Sequence, residues 1–245
     1  MKNISCFIAL LLLTGNALFA QVGIGADNNQ PDNSAMLDVK STSRGFLPPR
    51  MTTVQRDQII SPATGLTIYN ITRFCNETYN GSVWVSNTHC IGESYGGGIV
   101  FYIYDNGLHG LIAATADQST AMRWYNGTNR ITGSAGDGLN AGAMNTTIIV
   151  TAQMSDNQSG NFAAKVCADY SVTVGGVTYG DWYLPSKLEL NLLYQQKGVA
   201  GVGNNNYWSS TEDGASSAFS QYFLDGNPYS NLKIVPFNVR AVRAF

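Results

Sequence analysis

The clearest pattern in the chain is a pair of apolar arms separated by a short polar break. Residues 98–115 read GIVFYIYDNGLHGLIAAT, with Asp-Asn-Gly at 105–107 between the arms. This turn sequence tolerates the positive φ angles that tight hairpins need, so we predict a β-hairpin. Runs rich in β-branched and aromatic residues predict further short strands at 66–70, at 82–86 and within 207–245.

Helical spacing of apolar residues occurs in three later segments. It predicts modest helices at 140–153 and 161–170. A third helix follows Pro185, where Ser186 and Glu189 have the S-x-x-E spacing of a capping box. Strands and helices do not alternate as βαβ units, so the predicted fold class is α+β and not a parallel sheet. The predicted apolar face of the third helix consists of Leu188, Leu192 and Leu193.

The first 20 residues have the features of a secretory signal peptide. Lys2 precedes an apolar core at 7–13, and a small residue stands before Gln21. This core is too short to cross a bilayer, so we expect 1–20 to be removed and the mature chain to have no membrane span. The expected location is secreted or at the cell surface, with the periplasm as an open alternative.

Residues 21–90 are predicted to form a small β-rich module. Gly, Pro and Asn interrupt its short strands, and Pro48-Pro49 cannot lie inside a central strand because proline lacks the N–H that a ladder needs. The series resembles stalk segments of secreted fibre-like and phage tail-fibre-like proteins, and this resemblance implies a homotrimer through 21–90. Short strands with little core of their own are better buried by copies of themselves. A monomeric decoration lying on the C-terminal domain is the alternative.

Composition and charge exclude two classes of partner. Charged residues make up 12% of the chain, and the formal net charge is −2. So weak a field does not attract nucleic acid or an anionic membrane, and neither is expected as a partner. Asn, Ser, Thr, Gly and Tyr must supply the polar surface, and these residues also suit adaptable binding contacts.

Three cysteines follow the predicted signal peptide. Cys75 and Cys90 bracket a candidate hairpin, so an oxidising compartment favours a disulfide between them. Two reduced, buried thiols are the alternative. No group of cysteines and histidines has zinc spacing. We expect Cys167 to pack as a small apolar residue.

Three ordered blocks in the last part of the chain carry a family resemblance. They are GDWYLPSKLELNLLY at 180–194, NYWSSTE at 206–212 and VRAVRAF at 239–245. These blocks resemble the C-terminal domain family of the Legionella collagen-like adhesin and the Fibrobacter succinogenes major paralogous domain, and more faintly the formylglycine-generating enzymes. The resemblance covers 91–245 and implies a C-type-lectin-like domain there, preceded by the stalk module.

The same resemblance implies which residues build the scaffold. Trp182 and Trp208 are large enough to anchor a core. Because an arginine on a central strand is rarely left unpaired, an arginine of the final block is expected to bond Asp181 or Glu189. The residues assigned to the scaffold are Trp182, Pro185, Ser186, Glu189, Trp208, Arg240 and Arg243.

No catalytic motif stands out. The chain has no G-x-S-x-G elbow, no H-E-x-x-H and no Walker loop, and its histidines are His89 and His109. Formylglycine-generating enzymes rely on a cysteine pair near the C-terminal core, whereas no cysteine follows Cys167. We expect no catalytic residue, no cofactor and no enzyme activity, with a related oxidase as an alternative. Glu212 and Asp213 are the best metal candidates, but adjacent acids are usually just solvated, so no metal is expected.

The segment 213–238 has no clear period and mixes aromatic, aliphatic and small polar residues. We predict an exposed ligand-contacting face, because aromatic anchors among small polar groups give contact area at low entropy cost. The alternative is that half of its aromatics alternate into the core. The predicted ligand-binding residues are Asp213, Ser217, Phe219, Tyr222, Leu224, Asp225, Asn227, Tyr229, Asn231, Ile234 and Phe237.

The expected function follows from this face. We expect an exported, non-enzymatic, adhesin-like protein that recognises a surface glycan or a protein receptor. Similar proteins include targets of diversity-generating retroelements, so diversification of 213–238 is a further hypothesis. The alternative function is a structural component of a surface fibre or phage-like tail, with the C-terminal domain as a cap.

Overall fold

The computed structural model describes residues 21–25 and 30–245, so the predicted signal peptide lies outside the described residues. The chain divides into two compact units, Met1–Pro48 and Pro49–Phe245. This division falls earlier than the predicted boundary after Cys90, because residues 49–90 are bonded to the rest of the larger unit. For example, Ile91 and Arg73 exchange two hydrogen bonds. The module 21–90 and the domain 91–245 remain predictions.

The described part of the smaller unit, residues 21–25 and 30–48, forms a two-stranded ribbon. β1 (Val22–Ile24) and β2 (Leu37–Val39) pair in parallel. No described residue of this unit is buried. A two-stranded sheet without a packed face is only marginally stable, and the described residues of this unit form no buried core.

The larger unit begins with a four-stranded sheet. β3 pairs in parallel with β4, and the other neighbours are antiparallel. The helix after β3 starts at a capping box, because the side chains of Thr52 and Gln55 bond each other's backbone. The elements are β3 (Arg50–Met51), α1 (Thr53–Asp57), β4 (Thr67–Asn70), β5 (Cys75–Tyr79) and β6 (Trp84–Val85).

Two features tie this sheet together. Cys75 and Cys90 form a disulfide, with their Cα atoms 5.7 Å apart. The buried carboxylate of Glu77 accepts bonds from Asn70 at 2.9 Å, from Arg56 at 2.7 Å and from Arg73 at 2.5 Å. Burial opposes its ionisation, but the bonds from Asn70 and Arg56 outweigh that penalty and lower the pKa of Glu77.

The predicted hairpin at 98–115 lies in a second four-stranded sheet. A 3-10 turn, Asp105–Gly107, joins its arms, and all three turn residues have positive φ. The strand at 242–244 pairs antiparallel with the second arm of the hairpin and forms one edge of this sheet. In spatial order the strands are β17 (Val242–Ala244), β9 (His109–Ala114), β8 (Gly98–Tyr104) and β7 (Ser94–Tyr95).

A five-stranded sheet carries the segment predicted to bind a ligand. All its pairs are antiparallel except β13 (Asn206–Glu212) with β16 (Phe237–Val239). The spatial order is β10 (Ser119–Met122), β16 (Phe237–Val239), β13 (Asn206–Glu212), β14 (Ser217–Tyr222) and β15 (Pro228–Leu232). A separate hairpin consists of β11 (Val172–Val174) and β12 (Val177–Tyr179).

Three further helices occupy the predicted places: α2 (Ala141–Asp156), α3 (Ala163–Ala168) and α4 (Lys187–Gln195). Ser186 and Glu189 form the predicted capping box at the start of α4. The predicted apolar face of α4 is wrong in one member, because Leu188 is 40% exposed. Leu190 and Leu193 share the buried face, since residues three apart lie on one side of a helix. With mainly antiparallel sheets and few helices, the fold class is α+β, as predicted.

The five-stranded sheet lies between two buried clusters. Trp208 and Ala218 belong to one cluster with Trp124. Tyr207 and Phe223 belong to the other, which includes Leu190 and Leu193 of α4. Alternate residues of a strand point to opposite faces of a sheet, so each face of β13 contributes to a different cluster.

Candidate functional site

The two predicted tryptophan anchors are buried and bonded. The indole N–H of Trp182 donates to Tyr179 O at 3.1 Å, and that of Trp208 donates to Met122 O at 2.9 Å. Trp124 is also fully buried and donates to Ser209 O at 2.9 Å. Sequence reasoning missed Trp124, which stands in a polar, Gly-rich stretch outside the three family-like blocks.

The arginines of the final block have different partners. Arg243 forms a bidentate pair with Asp181, with N···O distances of 2.7 and 3.0 Å. Arg240 instead bonds Asp117 at 2.6 Å and Ala114 O at 2.7 Å. Asp117 was not anticipated, because it lies 123 residues away in the chain and nothing local marks it. Both guanidinium groups are used within the fold and are not free for a ligand.

Glu189 anchors the start of α4. It accepts bonds from Ser186 N at 2.8 Å, Asn140 N at 2.7 Å and the hydroxyl of Tyr183 at 3.1 Å. Burial raises the pKa of Glu189, and burial together with the neighbouring Glu189 charge raises the pKa of Tyr183. These groups therefore hold the Trp-x-Leu-Pro corner against α2 and are not exposed to solvent.

Glu212 forms a buried ion pair with Lys233. Lys233 Nζ lies 2.6 Å from Glu212 Oε1, 2.9 Å from Arg130 O and 3.0 Å from Ala215 O. It also lies 4.4 Å from the centre of the Trp124 ring. Burial disfavours the charged form of both groups. It lowers the pKa of Lys233. For Glu212, the hydrogen bond from Lys233 outweighs the burial penalty, so the pKa of Glu212 is also lowered.

No group of three or more potential metal ligands occurs in the described residues. Glu212 cannot serve as one without giving up Lys233, which would leave that charge buried and unpaired. The remaining cysteine among the described residues, Cys167, is fully buried. Burial raises the pKa of its thiol well above the usual value, which disfavours the reactive thiolate.

The eleven predicted ligand-binding residues surround the β14–β15 hairpin, and none of them is buried. The most exposed large apolar members are Leu224, Ile234 and Tyr229, at 60%, 50% and 44%. Phe237 is only half-buried, and its ring centre lies 4.8 Å from that of Trp208. The predicted aromatic contacts of this segment thus keep exposed surface, whereas Phe223 of the same segment is fully buried.

Strand pairing does not bring all eleven residues to one surface. On the α4 side of the sheet lie Ser217 and Phe219, together with Gln221. Tyr222, Tyr229 and Asn231 point to the opposite side, which we call the Trp208 side. The turns and strand ends carry the other six predicted residues: Asp213, Leu224, Asp225, Asn227, Ile234 and Phe237.

The β14–β15 turn is internally bonded. Asp225 accepts the backbone N–H of Asn227 at 2.9 Å and the hydroxyl of Tyr229 at 2.9 Å. The bond from Asn227 lowers the pKa of Asp225. These contacts orient Tyr229 while leaving its ring exposed, which is a rigid way to present an aromatic side chain.

A cleft of about 300 Å³ opens on the α4 side of this hairpin. Lys187 forms an ion pair with Asp137 at 2.8 Å and lies 4.5 Å from the centre of the Phe219 ring. Gln221 donates to Asn191 Oδ1 at 2.9 Å and to Gly226 O at 2.8 Å. Nothing in the described part of the chain donates to the side-chain oxygen of Gln221. The lining residues are Asp137, Lys187, Leu188, Asn191, Gln221 and Pro228.

None of the cleft residues was a predicted ligand contact. Lys187, Leu188 and Asn191 belong to a family-like block that the sequence analysis assigned to the scaffold. Only the pairing of β14 with β15 brings Gln221 and Pro228 opposite that helix. No local signal in the sequence marks these residues as neighbours.

Comparison with known families gives one match. Residues 23–107 match the family model described as a phage tail like trimerisation region. The match covers about a third of the chain and includes nearly all of the predicted stalk module, so it confirms the resemblance to tail-fibre-like segments. It does not extend to the C-terminal blocks, whose likeness to the adhesin family stays a resemblance. No curated protein matches the chain.

Exposed apolar residues concentrate in the matched segment. Of 25 exposed large hydrophobic side chains in the described residues, 13 lie within 23–107. Single exposed apolar residues are ordinary on a protein surface, whereas a contiguous exposed apolar patch marks a contact surface. Across residues 21–25 and 30–245, no helix is both long and apolar enough to span a membrane.

Proposed function

We propose that this protein is an exported, non-enzymatic subunit of a trimeric, fibre-like assembly. Residues 23–107 form the trimerising stalk, and the C-terminal part forms a C-type-lectin-like head that caps it. The observation that carries this proposal is the match of 23–107 to a phage tail like trimerisation region. It favours the structural role over a purely adhesive one, because trimerisation is the property that the matched family describes.

The smaller unit gives physical support to association. None of its described residues is buried, although Met36, Phe46 and Leu47 are large apolar side chains exposed by 65% or more. Fully burying a side chain of this size is worth roughly 1.5–3 kcal/mol. Contact with further copies would provide the core that one copy lacks.

Sedimentation equilibrium of the purified protein tests the proposal. We expect a mass three times that of one chain at micromolar concentration, because the stalk of each copy completes the core of the others. A chain that remains monomeric at every concentration up to the solubility limit would overturn the proposal.

A second function, ligand recognition by the head, has its own support. All eleven residues of the predicted contact face keep exposed surface, and the cleft beside them presents amide groups of Asn191 and Gln221. Its charged residues, Lys187 and Asp137, neutralise each other. A neutral glycan or a protein receptor suits such a surface better than a sulfated polysaccharide, which needs unpaired basic groups.

An array of neutral and sulfated glycans tests this second function. The variant F219S/N191A alters the α4 side, whereas L224S/Y229S alters the turn and the Trp208 side. Binding to a neutral glycan that one variant loses and the other retains would locate the contact surface. Binding that survives both variants combined, in a folded trimer, contradicts recognition by this region.

Diversification of residues 213–238 has a separate test. A near-copy of their coding stretch beside a reverse transcriptase gene, differing mainly at adenines, would support it.

A further inference from the structure

The register of the β1–β2 ribbon sorts its side chains by chemistry. Val22 lies opposite Leu37 and Ile24 lies opposite Val39. Paired residues share a face and alternate residues do not, so these four aliphatic side chains form one face of the ribbon. We call it the aliphatic ribbon face. Its members are Val22, Ile24, Leu37 and Val39, with exposed fractions of 52%, 57%, 53% and 42%.

The opposite face of the ribbon is polar and already has a partner. It carries Gly23 and Asp38. Asp38 accepts the backbone N–H of Asp32 at 3.0 Å and pairs with Lys40 at 3.1 Å. Asp32, in the described part of the chain between β1 and β2, is therefore bonded on the polar face. In the described part of this unit, no side chain is buried against the aliphatic ribbon face.

We propose that the aliphatic ribbon face is the trimer contact, and that its occupant is the same face of two further copies of this chain. This inference rests on the proposed function. The matched trimerisation region begins at residue 23, within β1, so the ribbon is the first element of the trimerising segment. Three aliphatic faces around a threefold axis exclude water from one another and leave the polar faces outward.

The face is suited to this occupant and not to a charged one. All four members are aliphatic, so none of their side chains offers a charge or a hydrogen-bonding group. In a closed threefold contact each aliphatic ribbon face packs against the same face of two other copies, so all three faces leave water together.

Charge substitution on this face provides the main test. The double variant L37K/V39K places lysines on the proposed axis, where three copies of each would lie close together and desolvated. We expect loss of the trimer, seen as a shift from three chain masses to one in sedimentation equilibrium. The matched control is L232K/I234K, which changes two apolar residues of the larger unit that are 57% and 50% exposed. This control should remain trimeric.

The outcomes separate this inference from the proposed function. A wild-type monomer overturns both. A wild-type trimer that L37K/V39K leaves intact overturns the aliphatic ribbon face as the contact, while the trimeric assembly stands. Loss of the trimer in both lysine variants also overturns it, since the effect would then be nonspecific charge.

Cysteine cross-linking keeps the inference testable if L37K/V39K fails to fold. In the variant V39C, copies of residue 39 meet near the axis, so mild oxidation should link two chains of each trimer through a disulfide. The control L232C should give no link. The native disulfide Cys75–Cys90 is already formed, and Cys167 is buried, so neither competes. A V39C trimer that does not cross-link overturns the proposal.

Discussion

The β1–β2 ribbon and the five-stranded sheet are both built from short strands, but the ribbon leaves its apolar side chains exposed, whereas the sheet buries many of its own. The ribbon leaves four aliphatic side chains on one exposed face. The sheet buries apolar residues on both faces and encloses even charged groups such as Lys233 and Glu212. Short strands alone therefore do not make a region dependent on partners. What decides this dependence is whether the same chain supplies the opposing surface.

Removing the buried Lys233 should cause the largest loss of unfolding free energy in the larger unit. In Lys233→Ala the carboxylate of Glu212 remains buried without its cation, and breaking a buried pair costs about 3–5 kcal/mol. Denaturant unfolding should show this loss independently of protein concentration. Lys187→Ala is the control, because its pair with Asp137 is partly exposed and should be worth at most about 1 kcal/mol. Equal losses in the two variants would contradict the contrast between buried and exposed pairing.

Removing the disulfide should have the next largest effect. Cys75 and Cys90 close a loop with a sequence separation of 15, for which the loss of loop-closure entropy predicts about 3 kcal/mol. The double variant C75A/C90A should unfold at correspondingly lower denaturant concentration. Cys167→Ala, which removes a thiol but no cross-link, serves as the comparison. A disulfide variant as stable as the wild type would mean that the sheet of β3 to β6 holds without this bond.

Acid should weaken the larger unit through Glu77. Its folded pKa lies below the unfolded value of 4.5, so its contribution is complete above that pH and is lost as pH falls through the folded pKa. Urea unfolding at a series of pH values from 6 downward should therefore show that the free energy of unfolding decreases once the pH is below about 4.5. Glu77→Gln should flatten this dependence at the cost of stability near neutrality. An unchanged acid slope in Glu77→Gln would assign the dependence to other carboxylates.

Salt concentration should have the smallest effect, and this effect is on the association of the chains. The aliphatic ribbon face carries no charge, so raising NaCl within the range that screens exposed pairs should change the trimer dissociation midpoint by less than about twofold. Sedimentation at low and high salt measures this. A trimer that dissociates as salt rises would point to ionic contacts between copies instead of an aliphatic core.

Several elements could be predicted because their signals are local. The turn at 105–107 and the capping box of Ser186 and Glu189 depend on residues within a few positions of each other. Leu188 was misassigned to the core because a leucine-rich helix offers more than one apolar stripe, and only packing against Phe101 and Tyr183 selects Leu190 and Leu193. Local periodicity contains no information on which stripe meets a partner.

The candidate surface was predictable in exposure but not in arrangement. Tyr229 and Leu224 stand in a segment without period, and both are exposed. Their division between the two sides of the sheet depends on the register of β14 against β15, which sequence pattern does not specify when both faces mix polar and apolar residues. The cleft between Lys187 and Gln221 has the same origin, since its walls are distant in the chain.

Composition and neighbouring residues were enough to predict the α+β class, the weak charge, the helix start at Ser186 and the fibre-like character of the N-terminal segment. Tertiary structure alone decided that Asp117 receives Arg240, that Lys233 lies buried beside Trp124, and that Val22, Ile24, Leu37 and Val39 share one face. Those outcomes depend on strand register and on contacts between distant segments. A side chain's partner is a property of the folded chain, whereas its chemistry is a property of the residue.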